Sequence, residues 1–168
     1  MKKTLIAFGV LLMQLPLFSQ SVFWEEKFDA PPPNWVMQTN WSVENGALDF
    51  HWNPVQLNYD SYALSGDIAL PQNVGDLIVS QYLQVFTSRI TTEKASISVV
   101  TSSGEDELWF YTLSSGNWGN GGGTDLRISL GAYAGTTVKL KFRSWGPTTD
   151  AWYDWFIYNI AVDRKSVV

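Results

Sequence analysis

The chain has 168 residues, no cysteine and one histidine, and its 16 acidic against 11 basic residues give a formal net charge of −5. This balance argues against nucleic acid as a partner, because nucleic-acid binding depends on neutralising phosphates, and it disfavours adhesion to anionic lipid. Zinc sites need three or four Cys, His or carboxylate ligands, so one histidine without cysteine argues against a catalytic zinc.

The first 20 residues have the pattern of a secretory signal peptide. Two lysines form a positive start, and the apolar run Leu5–Leu15 is too short to span a membrane, which takes about 20 residues. We therefore expect residues 1–20 to be a signal peptide and residues 21–168 to be one domain. Its expected location is outside the cell, at the cell surface or in the periplasm.

The rest of the chain has no helical periodicity. Short runs rich in β-branched and aromatic residues are separated by Gly, Pro and Asn, and Asn45-Gly46 is typical of a hairpin turn. Pro31–Pro33 indicates an edge or loop, and Ser114–Thr124 a glycine-rich loop. About ten strands are predicted: Phe23–Phe28, Asn40–Val43, Ala47–Trp52, Tyr62–Ala69, Leu77–Thr87, Lys94–Thr101, Glu107–Leu113, Leu126–Leu130, Thr137–Trp145 and Trp152–Val162. The pattern predicts an all-β fold, a two-sheet antiparallel β-sandwich of jelly-roll type.

The two final strands predict which side chains face the core. The penultimate strand alternates, which predicts an inward row of Val138, Leu140 and Phe142. The last strand is apolar on both faces, as in a central strand. The outward stripe of the penultimate strand is expected to pair with acids on neighbouring strands. The alternative is that it binds an anionic polysaccharide. The stripe consists of Lys139, Lys141 and Arg143.

Both ends of the domain resemble a known group. The opening FDAPPPNWVMQTNWSVENGAL and the closing DLRISLGAYAGTTVKLKFRSW…WFIYNIAV are similar to secreted bacterial jelly-roll domains of the MAM-like, cleaved-adhesin or choice-of-anchor type, common in Bacteroidetes surface proteins. The resemblance implies a non-catalytic extracellular module that binds carbohydrate or a cell-surface ligand. Protein–protein adhesion, or a structural accessory role in a larger secreted protein, is the alternative.

The resemblance also raises the question of a structural calcium ion. Tyr158 stands where the related domains usually carry an aspartate that helps to hold calcium, and Asn159 follows it as they do. Calcium takes six to eight oxygen ligands, which loops and strand ends can supply. The candidate ligands near the first and last strands are Glu25, Glu26, Asp29, Asp154 and Asn159. The alternative is that these are ordinary solvated groups at a strand edge.

Aromatic side chains are the candidate ligand-binding residues. Rings near loops can stack on the C–H faces of sugars, while neighbouring polar groups fix the orientation. The candidates are Trp118, Trp145, Trp152, Trp109 and Tyr111, whereas core packing is expected for Trp24, Trp35, Trp41 and Trp155.

Catalytic residues are hard to find in the sequence. The single histidine, His51, has no nucleophile motif G-x-S-x-G to partner it, and we expect it at the surface or a pocket rim. Glu105-Asp106-Glu107 is expected to be a solvated hairpin tip. We therefore expect no enzymatic activity. A glycan-active hydrolase, which remains the other alternative, would need two cleft carboxylates about 5–10 Å apart.

Overall fold

The computed structural model of the protein describes residues 21–85, 92–113 and 125–165. The predicted signal peptide and the glycine-rich loop with Trp118 lie outside these ranges. Within them, no helix is long and apolar enough to cross a membrane.

The described residues form twelve strands and two short 3₁₀ turns. The turns lie at Gly131–Tyr133 and Thr149–Ala151. The strands are β1 (Ser21–Glu26), β2 (Val36–Met37), β3 (Trp41–Glu44), β4 (Ala47–His51), β5 (Leu57–Leu64), β6 (Ile68–Ala69), β7 (Val74–Val85), β8 (Lys94–Thr101), β9 (Gly104–Thr112), β10 (Leu126–Ser129), β11 (Thr137–Thr148) and β12 (Trp152–Arg164).

These strands form two six-stranded sheets of antiparallel pairs, which confirms the predicted β-sandwich. Sheet A has the order β10-β7-β12-β4-β3, with β1 also paired to β12. Sheet B has the order β2-β5-β11-β8-β9, with β6 also paired to β11. Most neighbours within a sheet are distant in sequence, as expected for a jelly roll. The last strand is central in sheet A, as predicted from its apolar faces.

The core lies between the sheets and follows the period-two alternation of their strands. In β11, Val138, Leu140 and Phe142 are buried as predicted. In β12, Trp155 and Ile157 face inward and are fully buried. The Trp155 ring lies 5.4 Å from Trp41, 5.9 Å from Trp109 and 6.3 Å from both Phe142 and Trp152. Its Nε1 donates a hydrogen bond to Gln81 Oε1 at 2.9 Å.

The structure differs from the predicted strands around residues 57–69. The predicted strand Tyr62–Ala69 is divided into two strands, because β5 ends at Leu64 and β6 begins at Ile68. Between them, the Ser65 N–H donates to the Leu140 carbonyl on β11, and the Ser65 hydroxyl accepts from the Leu140 N–H. The pair Val36–Met37, which was not predicted, adds a short edge strand next to β5. The hairpin predicted at Asn45-Gly46 is confirmed, with φ of 53° and 74°.

The basic stripe of β11 is paired with acids, as expected. All three cations lie on the outer face of sheet B and reach carboxylates of neighbouring segments. The pairs are Lys139–Asp67 at 3.6 Å, Lys141–Glu105 at 2.8 Å and Arg143–Asp60 at 2.6 Å. This arrangement leaves the stripe little charge with which to attract an anionic polysaccharide.

Trp155→Ala should reduce the free energy of unfolding by about 3–5 kcal/mol, because it opens a cavity in the core and leaves Gln81 without its partner. Trp145→Ala is the matched control: this half-buried ring lies on the outer face of sheet B, so the loss should be less than about half as large. Chemical denaturation measures both variants. Equal losses would show that Trp155 is not the centre of the core.

Candidate functional site

The outer face of sheet A is defined by the alternation of β12. Because Trp155 and Ile157 point into the core, Asp154 and Phe156 point outward. Directly opposite residues of antiparallel strands share a face, and β12 pairs Asp154 with His51 and Phe156 with Asp49. Two carboxylates and the single histidine of the chain are thereby brought together on this face.

Asp49, His51 and Asp154 form a compact group on β4 and β12. One ligand atom from each lies within 4.8 Å of the others. Each aspartate is only 5% exposed, whereas 39% of the His51 side chain is exposed. His51 Nδ1 and Asp154 Oδ1 share a hydrogen bond of 2.5 Å. Asp49 Oδ1 is buried and receives no hydrogen bond from the described residues.

Burial strongly perturbs the carboxylates of this group. It is the main cause that raises the pKa of Asp49 to about 7, and the nearby charge of Asp154 raises it further. His51 acts in the opposite direction, while Glu44 adds a smaller increase. Burial also raises the pKa of Asp154, against the lowering effect of its hydrogen bond to His51. Asp49 therefore holds its proton up to near-neutral pH, well above the pH at which an exposed aspartate releases it.

Three aromatic rings form a row beside this group. Tyr82 of β7 stacks near Phe156 of β12 at 6.5 Å between centroids and 23° between planes. Phe156 in turn stacks near Tyr158 at 6.0 Å and 16°. Tyr158 is 46% exposed. These nearly parallel rings, called here the aromatic row, form an elongated apolar strip next to Asp49 and His51.

Trp145 lies on the opposite side of the molecule from the aromatic row. It is half-buried on the outer face of sheet B, where Arg143 lies 4.5 Å and Lys94 5.9 Å from its ring centroid. Phe110 packs against it at 5.9 Å. Since these neighbours already contact the ring, a sugar would have to displace them in order to stack there.

The prediction that Trp152 is a surface platform is wrong. The ring is completely buried, and its Nε1 donates to Tyr59 Oη at 2.7 Å. Trp109 and Tyr111 do share a strand face, with parallel rings 6.2 Å apart. That face is the inner one of edge strand β9, where both rings are half-buried and pack against the core. The sequence does not show which face of an edge strand is covered by the opposite sheet.

The predicted calcium ligands do not form one group. Glu25 and Asn159 meet, with Asn159 Nδ2 donating to Glu25 Oε1 at 2.8 Å. Glu26 instead accepts the backbone N–H of Phe28, and Asp29 is exposed in the following loop. Asp154 belongs to the group with His51, five positions away from Asn159 along β12. An ion held by all five residues does not fit this arrangement, and calcium at Glu25 and Asn159 stays a prediction.

A larger groove of about 820 Å³ lies at one end of the sandwich, between the β8–β9 hairpin and the start of β11. Several of its polar side chains are paired with one another: Tyr133 donates to Asp106 at 3.1 Å, and the Thr101 and Ser103 hydroxyls bond at 2.8 Å. No buried carboxylate lines this groove in the part of the chain that the structure describes. The outer face of sheet A is therefore the stronger candidate.

Comparison with known proteins identifies the fold. No family model and no curated protein matches the chain. Among solved structures, the K3 cleaved adhesin domain of Lys-gingipain from Porphyromonas gingivalis aligns with 84% of this chain and 98% of its own length, at a TM-score of 0.58 and 16% identity. The K1 domain of the same protein gives a TM-score of 0.56 at 14% identity, covering 85% of this chain and 98% of that domain.

The chain has the fold of a cleaved adhesin domain. The CBM22-1 xylan-binding domain of Paenibacillus barcinonensis Xyn10C has a similar fold at a TM-score of 0.50 and 10% identity, with 90% of this chain and 99% of that domain covered. The resemblance predicted from the two terminal motifs is thus confirmed at the level of the fold.

The sequence contained a partial signal for this site. Asp49-Phe50-His51 alternates on a predicted strand, which places Asp49 and His51 on one face. The partners Asp154, Phe156 and Tyr82 come from other strands, and only the register of the sheet brings them there. That long-range pairing could not be read from the local pattern.

Asp49→Asn should change how stability depends on pH. The folded chain binds the Asp49 proton more tightly than the unfolded chain, whose pKa is near the ordinary 3.8. The contribution of Asp49 to stability should therefore decrease as the pH rises from about 4 to about 7. The amide variant lacks this loss, so its advantage in Tm should grow across that window, measured with a chelator present.

Glu25→Gln is the matched control on the same face, because hydrogen bonds to Asn159 and Lys27 lower the pKa of the exposed Glu25. Its Tm relative to the wild type should not rise over the same pH window. Parallel curves for Asp49→Asn and the wild type would contradict a raised pKa at Asp49.

Proposed function

We propose that the protein is a secreted, non-catalytic binding module that recognises carbohydrate through the outer face of sheet A. The observation that carries the proposal is the aromatic row beside Asp49, His51 and Asp154, where the buried Asp49 Oδ1 receives no hydrogen bond from the described residues. Flat rings with a partly exposed end, next to carboxylate and imidazole groups, are the combination that orients sugars: the rings contact C–H faces and the polar atoms bind hydroxyls.

The charge of the face points to the class of glycan. Asp49, Asp154 and nearby Glu44 are all acidic, and Gln84 lies opposite Asp154 in the register. Such a face repels an anionic polysaccharide, while the cations of sheet B are already paired with acids. We therefore infer a neutral polysaccharide as the ligand. Support by analogy comes from the xylan-binding domain that shares this fold.

A hydrolase is the alternative to weigh at this site. Retaining glycosidases use two carboxylates about 5–5.5 Å apart, and oxygens of Asp49 and Asp154 lie within 4.8 Å. Each aspartate is only 5% exposed, however, and Asp154 is hydrogen-bonded to His51. The general acid would have to contact the glycosidic oxygen and the nucleophile the anomeric carbon, so the burial of both aspartates favours binding over hydrolysis.

Binding of a protein partner is the second candidate function. Val55 lies just before β5 and Leu57 is its first residue, and they are 49% and 73% exposed. Apolar side chains at this exposure favour contact with another macromolecule when they cluster. They lie away from the aromatic row, so the two functions can be separated by mutation.

Phe156→Ala and Tyr158→Ala should each weaken retention on a neutral polysaccharide by about tenfold, equivalent to about 1.4 kcal/mol of lost ring contact. Affinity electrophoresis in gels containing xylan, galactan or glucan measures the effect, with polygalacturonate as the anionic comparison. Trp145→Ala is the control for the opposite face and should leave retention unchanged. Melting curves confirm that each variant is folded.

Retention on polygalacturonate, or loss of binding only in Trp145→Ala, would contradict this assignment of the face. Reducing-sugar release that disappears in Asp154→Asn would favour the hydrolase. If the panel shows no retention while Leu57→Ser abolishes capture of a protein ligand, the adhesion function would replace carbohydrate binding. Trp118→Ala tests separately the loop position predicted from the sequence.

A further inference from the structure

We propose that Asp49, His51 and Asp154 bind a divalent transition-metal ion of the Zn²⁺ type. This inference goes beyond the carbohydrate-binding function, because it concerns an ion that these three side chains bind in the absence of any glycan. It also extends what the sequence indicated: the single histidine argued against a catalytic zinc, and the ligand set found here has no catalytic role in the proposal.

The geometry is close to that of a metal site. The three donor atoms lie within 4.8 Å of one another, whereas donors around a tetrahedral zinc with bonds of about 2.0–2.2 Å lie roughly 3.3 Å apart. Binding the ion therefore requires side-chain rotations, because His51 Nδ1 and Asp154 Oδ1 are now 2.5 Å apart and would have to separate around it. All three residues lie on β4 and β12, paired strands within sheet A, so the backbone positions are held by the sheet rather than by a loop.

A buried oxygen without a hydrogen bond is the second observation that points to a cation. Asp49 is 5% exposed, and none of the described residues donates to its Oδ1. Buried carboxylate oxygens normally accept hydrogen bonds, since leaving one unpaired costs free energy. A cation in the middle of the group would satisfy this oxygen and relieve the repulsion between the two aspartates.

The ligand types select the class of ion. Imidazole nitrogen suits Zn²⁺ and similar borderline ions, whereas Ca²⁺ prefers six to eight oxygens. His51 Nδ1 already faces Asp154 Oδ1 at 2.5 Å, and the ion would replace the proton shared between them. Glu44 adds negative charge from β3. Three protein ligands would leave one position of a four-coordinate ion open.

The test measures binding of the metal alone. Chain without a histidine tag is treated with a chelator, dialysed and titrated with ZnCl₂ by calorimetry. Because His51 is the single histidine and cysteine is absent, every histidine-dependent signal comes from this site. We expect saturable binding near one equivalent, a shift of the His51 ring signals in NMR spectra, and an absorption spectrum of the Co²⁺ form typical of low coordination number.

His51→Gln and Asp49→Asn should each weaken Zn²⁺ binding by more than about tenfold, because losing a group that only orients a ligand already costs about 10–100-fold in metal affinity. Glu25→Gln, on the same face but outside the group, should bind like the wild type, and melting curves in chelator show that each variant is folded. Absence of saturable binding, or wild-type affinity in His51→Gln, would overturn the proposal. Polysaccharide retention, measured in chelator, tests the proposed function independently.

Discussion

The structure depends on the packing of Trp155 between the two sheets. Its ring contacts aromatic side chains of both sheets, at 5.4 Å from Trp41 in sheet A and 6.3 Å from Phe142 in sheet B. An indole this deeply buried must also satisfy its N–H, and Gln81 of the neighbouring strand does so at 2.9 Å. Because the chain has no cysteine, packing of this kind has to hold the two layers together without a disulfide.

The same constraint creates the candidate site. Because side chains of a strand alternate, burying Trp155 forces Asp154 and Phe156 to the outer face of β12. Pairing with β4 then sets His51 and Asp49 opposite them. A register shift of one residue would put the aspartates into the core and the tryptophan into water. Core packing therefore fixes the positions of the site residues on the outer face, and no loop is needed to place them.

The sequence predicted the fold better than the site, for a physical reason. Alternation and turn residues are visible within a few consecutive residues. The strands, the Asn45-Gly46 turn and the inward-facing side chains of β11 could therefore be predicted. Site residues assemble by pairing between strands far apart in the chain, as His51 and Asp154 do. Exposure is equally non-local: Trp152 flanks a turn, which suggested a surface position, yet Tyr59 and Trp155 enclose it.

The two outer faces differ in how far their charges are satisfied, and this difference favours sheet A as the functional face. On sheet B, Arg143 donates to both carboxylate oxygens of Asp60 and also lies over the Trp145 ring. The charged and aromatic groups of that face are thus already in contact with one another. On sheet A, burial holds two aspartates beside each other and raises the pKa of both. Such an arrangement lowers stability at neutral pH unless something outside the chain compensates for it. A ligand or ion that satisfied these carboxylates would recover part of that free energy, which is the physical reason for proposing recognition on this face.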